Sequence, residues 1–143
     1  MYPVLDVARY VVSKSIADKQ PITNMELQNL LYLIQREFLR VKGKAAFRES
    51  IEAWQFGPVV LEAYYYFSGA GAMPITICNM EKNPKIDEAD MRMIDTQIEA
   101  TRQKRPYEVS MNITRKGGAW DRTNRNGEGD KEIIPLDAIK EYG

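Results

Sequence analysis

Ile51-Glu52-Ala53-Trp54-Gln55-Phe56-Gly57-Pro58-Val59-Val60 is the stretch on which the reading of this chain turns. Two bulky aromatics run into a Gly-Pro pair, and an apolar run follows. Proline fixes φ and has no N–H to donate, so it suits the first turn of a helix. Glycine just before it permits a backbone turn that other residues resist. The segment therefore predicts a short extended piece, a sharp corner, and a helix starting near Pro58 and running to about Phe67.

Working outward, Thr23 and Glu26 form a capping-box pattern, with Ile22 and Leu27 placed for a hydrophobic staple. Leu27, Leu30, Leu31, Ile34, Phe38 and Val41 then mark one apolar face, and Gly43 is the natural stop. An earlier helix is expected from about Val4 to Asp18, on the spacing of Val4, Ala8, Val11, Val12, Ser15 and Ile16. Ala45 to Trp54 reads as extended, with Phe47, Ile51 and Trp54 buried. Ile75-Thr76-Ile77 reads as a short strand. Asp87 and Asp90 open a further helix with Met91, Ile94 and Ile98 inward. Pro106 opens another to about Arg115. A polar loop from Asn124 to Asp130 follows Trp120, and a short last helix runs to Tyr142. The expected fold is mainly α (α+β): a compact helical domain with a few short extended strands, occupying residues 1–143 as one domain.

Composition narrows the chemistry. Lys+Arg and Asp+Glu are both 20, so net charge is zero and points to no polyanionic partner. Histidine is absent, which removes the commonest general base and metal ligand. The only cysteine is Cys78, so no internal disulfide or Cys/His zinc site is expected. No apolar run approaches the roughly 18 residues of a membrane helix, and no signal-peptide pattern opens the chain, so a cytoplasmic protein without a membrane partner is expected. No phosphate-binding loop, dinucleotide fingerprint or nucleophile elbow is present. No catalytic residue, cofactor or metal is expected. Glu49 and Glu52, and Asp87, Glu88 and Asp90, read first as solvated charges and a helix cap.

Two features leave alternatives open. Tyr64-Tyr65-Tyr66-Phe67 cannot place four aromatics on one helix face. Tyr64 and Phe67 are expected inside; Tyr65 and Tyr66 point elsewhere, either under cover of the same domain or outward as a binding surface. Arg102 to Arg125 carries seven cations against Glu108 and Asp121. It reads either as a solvated helix end or as a patch for an acidic protein or RNA.

Ile22-Thr23-Asn24 with Leu27-Gln28-Asn29-Leu30-Leu31-Tyr32 resembles the "ITNxxLQxLLY" block of the Panacea (SocA-like) antitoxin-domain family, associated with phages and mobile elements. Ile51 to Val60 resembles its "IEAWxxGPVV" signature. Tyr64 sits at a usual aromatic position, and Ile133-Ile134-Pro135-Leu136 matches an "IIPL" ending. These blocks run from about Asp6 to Tyr142. The resemblance implies a non-enzymatic antitoxin that binds and suppresses a cognate toxin, encoded by the adjacent gene. Some relatives are implicated as adaptors delivering a toxin to an ATP-dependent protease. The matched residues Leu27, Leu30, Leu31, Tyr32, Trp54, Gly57, Pro58, Val59 and Trp120 are expected to build the scaffold. Partner contacts are expected on less family-like surface: Tyr65, Tyr66, the 69–73 turn, and Arg115, Arg122 and Arg125. Arg115 stands where the family commonly has histidine, so any role needing imidazole is absent there. A carboxylate-based enzyme and a nucleic-acid-binding regulator are the competing classes; nucleic acid is the weaker expectation because net charge is zero.

Overall fold

In the computed structural model, residues 1–78 and 85–143 are described. Among them are seven α-helices and one two-stranded antiparallel sheet. The helices are α1 (Val4–Ala17), α2 (Asn24–Lys42), α3 (Leu61–Tyr66), α4 (Glu88–Arg102), α5 (Pro106–Ile113), α6 (Ala119–Asn124) and α7 (Leu136–Tyr142). The strands are β1 (Glu52–Trp54) and β2 (Gly57–Val59). The fold is mainly α, as expected.

The centre is α2. Thr23 and Glu26 form the reciprocal capping box, and Gly43 ends the helix in the left-handed region at φ 68°. Leu27, Leu31, Tyr32 and Ile34 are fully buried. The helix packs against α1, α3, α4, α5, α7 and β2. Polar side chains along it hold the surrounding loops. Gln35 accepts the Ala46 N–H at 2.7 Å and donates to the Phe47 carbonyl at 3.0 Å. Gln28 accepts the Val60 N–H at 2.8 Å and donates to Asn24, which donates to the Tyr64 carbonyl. Buried amides with every partner in place orient the loops they touch as well as packing against them. Val41, expected on the apolar face, is instead exposed, while Leu39 in the same turn is buried.

The Ile51–Val60 stretch corrects the reading of its corner. It is a hairpin pairing Glu52 with Val59, Ala53 with Pro58 and Trp54 with Gly57. Gln55 and Phe56 form the two-residue turn, and Gly57 takes φ 138°, a region hostile to side chains. Pro58 therefore lies in a strand, and the helix begins at Leu61. The reason is long-range. The N–H and C=O of Ala53 bond to Glu132 and Lys131, both at 2.8 Å, so its partner Pro58 has no donor to supply. Segment 131–134 thus runs along the outer side of β1, with an antiparallel bridge between Glu52 and Ile133.

Three other expectations change. Ile75–Ile77 forms no strand: Ile75 is buried and donates its N–H to the Ile22 carbonyl, while Ile77 is exposed, with no strand to pair with among the described residues. Trp54 is half-buried, because it lies on the outer face of the hairpin. Asp90 is a buried group, not a solvated charge. It accepts the Tyr2 hydroxyl at 2.6 Å and the Lys42 ammonium at 2.7 Å, tying the start of the chain and the end of α2 to α4. Burial alone would raise its carboxyl pKa; the bonds from Lys42 and Tyr2 outweigh that and hold it below the ordinary carboxylate range.

Candidate functional site

Side chains alternate across a strand, and paired residues point to the same face. Ala53 points inward and is fully buried. Glu52 and Trp54 therefore point outward, with Val59 and Ile133 beside Glu52. Trp54 is held from several directions. Its indole N–H donates to Glu52 at 3.0 Å, the Lys131 ammonium sits 4.9 Å from its ring centre, and the Tyr64 ring lies 5.6 Å away at 50°. Its carbonyl accepts the Trp120 indole N–H at 2.8 Å. An aromatic anchor fixed in this way loses little entropy when it is covered.

Beside Trp54 lies an open groove of about 120 Å³, walled by Met25, Gln28, Phe56, Pro58, Val59 and Tyr64. Phe56 is 72% exposed at the hairpin tip, and Met25 is 54% exposed at the first turn of α2. Tyr65 is 62% exposed and packs edge-on against Tyr64 at 5.5 Å. Ile133 extends the apolar surface along the sheet at 59% exposure. A contiguous apolar face with a concave centre marks an interaction site more strongly than scattered hydrophobics do.

Of the expected scaffold residues, Leu27, Leu30, Leu31 and Tyr32 lie in the core. Gly57, Pro58 and Val59 build the groove wall. Trp54 and Trp120 are half-buried and joined to each other by the indole–carbonyl bond.

The expected contact residues separate. Tyr65 lies next to the Trp54–Tyr64 pair. Tyr66 points to another hollow, shared with Met73 and Ile77, and the Arg9 guanidinium lies 4.9 Å from its ring centre. Arg115 donates to the carbonyls of Asn112, Tyr142 and Gly143. Arg122 donates to the Gly117 carbonyl and lies 3.6 Å from the centre of the Tyr142 ring. Arg36 and Arg40 also reach the Gly143 carbonyl, at 3.1 and 3.2 Å. Together these four arginines bracket the end of α7. Arg125 pairs with Glu132 at 3.1 Å, on the flank of the sheet.

The sequence reading missed Met25, Phe56 and Ile133. Phe56 carried a usable signal: a large aromatic in a two-residue hairpin turn replaces the Asn, Asp or Gly that such turns favour. That signal points to a hairpin and conflicts with a helix opening at Pro58.

Of the five carboxylates singled out in the sequence, Glu49, Glu52 and Asp90 are occupied structurally. Glu49 accepts the Val4 N–H at 3.1 Å, Glu52 holds Trp54, and Asp90 holds Tyr2 and Lys42. Among the described residues no cluster of acidic or cysteine side chains is arranged to hold a metal ion, and no helix is long and apolar enough to cross a membrane.

Comparison with known proteins supplies the context for this face. The chain is 42% identical over 65 residues to Antitoxin SocA of Caulobacter vibrioides (strain NA1000 / CB15N). That alignment covers 46% of this chain and 35% of the relative, so the match spans about a third of the curated protein's length. No solved structure matches. The family model described as "Antitoxin SocA-like, Panacea domain" matches residues 27–121, from the buried leucines of α2 through the hairpin to α6. The chain belongs to the SocA-like, Panacea-domain antitoxin family.

Proposed function

We propose that residues 1–143 act as one cytoplasmic antitoxin domain that neutralises a cognate protein toxin by direct binding, with the toxin encoded by the neighbouring gene. The face formed by Trp54, Phe56, Met25, Tyr64 and Tyr65 is the proposed contact. The observation that carries the reading is the exposed Phe56 and the groove behind it, in a chain of antitoxin lineage. Family membership points to a non-catalytic role. The occupied carboxylates accord with it, since a general base needs a lone pair free to reach substrate.

The arginine cluster is assigned a structural part, because each of its guanidinium groups gives at least one donor to a main-chain oxygen. That leaves little to support a nucleic-acid interface there.

The test is co-expression with the product of the neighbouring gene, followed by co-purification of the two proteins. Growth is rescued by the natural chain and lost with Phe56→Asp, whose purified form melts as the natural chain does. Rescue that persists with Phe56→Asp overturns the assigned face. Failure of the natural chain to rescue or co-purify overturns the function. If the protein instead delivers its toxin to a protease, toxin levels fall during rescue and rescue disappears in cells lacking that protease.

A further inference from the structure

The hairpin face carries a charge pattern that specifies what can cover it. Glu52 projects from β1, and Glu132 lies in the segment paired beside it. The turn leading into that segment carries Glu128 and Asp130, both exposed. Glu62, in the first turn of α3, lies against Glu49. The cations in the same two stretches, 48–62 and 125–132, are Arg48, Arg125 and Lys131. Arg125 is neutralised by Glu132, and Lys131 lies over the Trp54 ring. These two stretches hold six carboxylates against three cations, with Glu52 and Glu132 on the sheet itself. The α5–α7 side of this neutral molecule has Arg115, Lys116, Arg122 and Lys140, alongside Arg36 and Arg40 of α2.

Backbone geometry limits the mode of entry. The exposed edge of β2 has little to offer an added strand: Pro58 has no N–H, and the Val60 N–H is already given to Gln28 at 2.8 Å. A partner therefore engages through side chains. A groove of about 120 Å³ is below the ~300–1,000 Å³ of typical small-molecule sites and suits one inserted side chain.

We propose that the hairpin face takes a polypeptide segment in which one aliphatic or aromatic side chain is flanked by lysine or arginine, the anchor entering the groove beside Trp54 and the flanking cations facing the surrounding carboxylates. This deepens the antitoxin reading by naming the chemistry of the toxin's contact segment, and it rests on that reading only for the identity of the polypeptide.

The chain supplies its own reporter. It has two tryptophans, and only the indole of Trp54 belongs to this face. With ¹⁵N-labelled protein, the unlabelled peptide Lys-Lys-Leu-Phe-Lys-Lys is expected to move the Trp54 indole signal well beyond that of Trp120. Glu-Glu-Leu-Phe-Glu-Glu is expected to bind at least about tenfold more weakly, with the gap narrowing between roughly 20 mM and 0.5 M salt. The combined variant Glu62→Lys, Glu128→Lys and Asp130→Lys, at three exposed positions, removes the preference. Equal or stronger binding of the glutamate peptide overturns the proposal, as does a Trp54 signal that ignores the lysine peptide. Loss of toxin binding with the peptide preference intact sinks the antitoxin reading alone. Toxin binding without the preference sinks this proposal alone.

Discussion

The two ends of α2 present opposite arrangements. Near its C-terminal end, Arg115 and Arg122, read in sequence as candidate contacts, join Arg36 and Arg40 in donating to the oxygens of Gly117, Lys140, Tyr142 and Gly143. Near its N-terminal end, Trp54 and Phe56 look in sequence like ordinary hydrophobics, yet with Tyr65 beside them much of their surface is uncovered. The difference teaches that residue type ranks poorly as a guide to contact surface. A guanidinium whose hydrogen bonds are satisfied within the fold acts as a strut, and an aromatic ring without cover keeps its hydrophobic free energy in reserve for a partner.

Three substitutions break or sharpen that contrast. The largest effect is expected from Arg115→Ala, which strips the carbonyls of Asn112 and Tyr142 of this donor and leaves Gly143 to Arg36 and Arg40 alone. It should cost about 1–3 kcal/mol of folding stability in urea titration while changing toxin affinity less than about twofold. A large affinity loss with unchanged stability would erase the distinction between strut and contact. Tyr65→Ala should do the converse, weakening toxin binding by about 1–2 kcal/mol in calorimetry with an unchanged melting profile. Arg125→Ala should have the smallest effect, under about 1 kcal/mol on either quantity, because both partners of its ion pair are half-exposed.

Acid tests the internal wiring separately. The folded Asp90 carboxyl is held below its unfolded value, so between the two values the unfolded chain binds more protons. Its stabilising contribution is full above the unfolded value and declines as pH falls towards the folded one. Asp90→Asn should therefore flatten the loss of stability below about pH 4, measured as the urea midpoint against pH.

What could be read from the chain was what local chemistry decides. Thr23, Glu26 and Gly43 set the ends of α2 within a few residues of themselves, and the inward spacing of Ile94 and Ile98 needs no distant neighbour. What escaped depends on separation. Whether Pro58 opens a helix or lines a strand is decided by Ala53 turning its hydrogen bonds towards residues 131 and 132, more than 70 positions away from Pro58. Asp90 is buried because Tyr2 and Lys42, 88 and 48 positions distant, converge on it. The candidate face escaped in part for the same reason. Tyr65 was marked by its run of aromatics, but Met25, Phe56 and Ile133 become one surface only after three separate segments meet.

The pairing of residues 131–134 with β1 also gives the molecule a mechanical polarity. Traction applied to the end of α7 would first load its packing on α2 and the arginine clasp around Gly143, and only afterwards the flank of the hairpin with its Lys131 support for Trp54. The support beneath Trp54 is thus guarded by the α7–α2 seam, and it is lost only once that seam has opened.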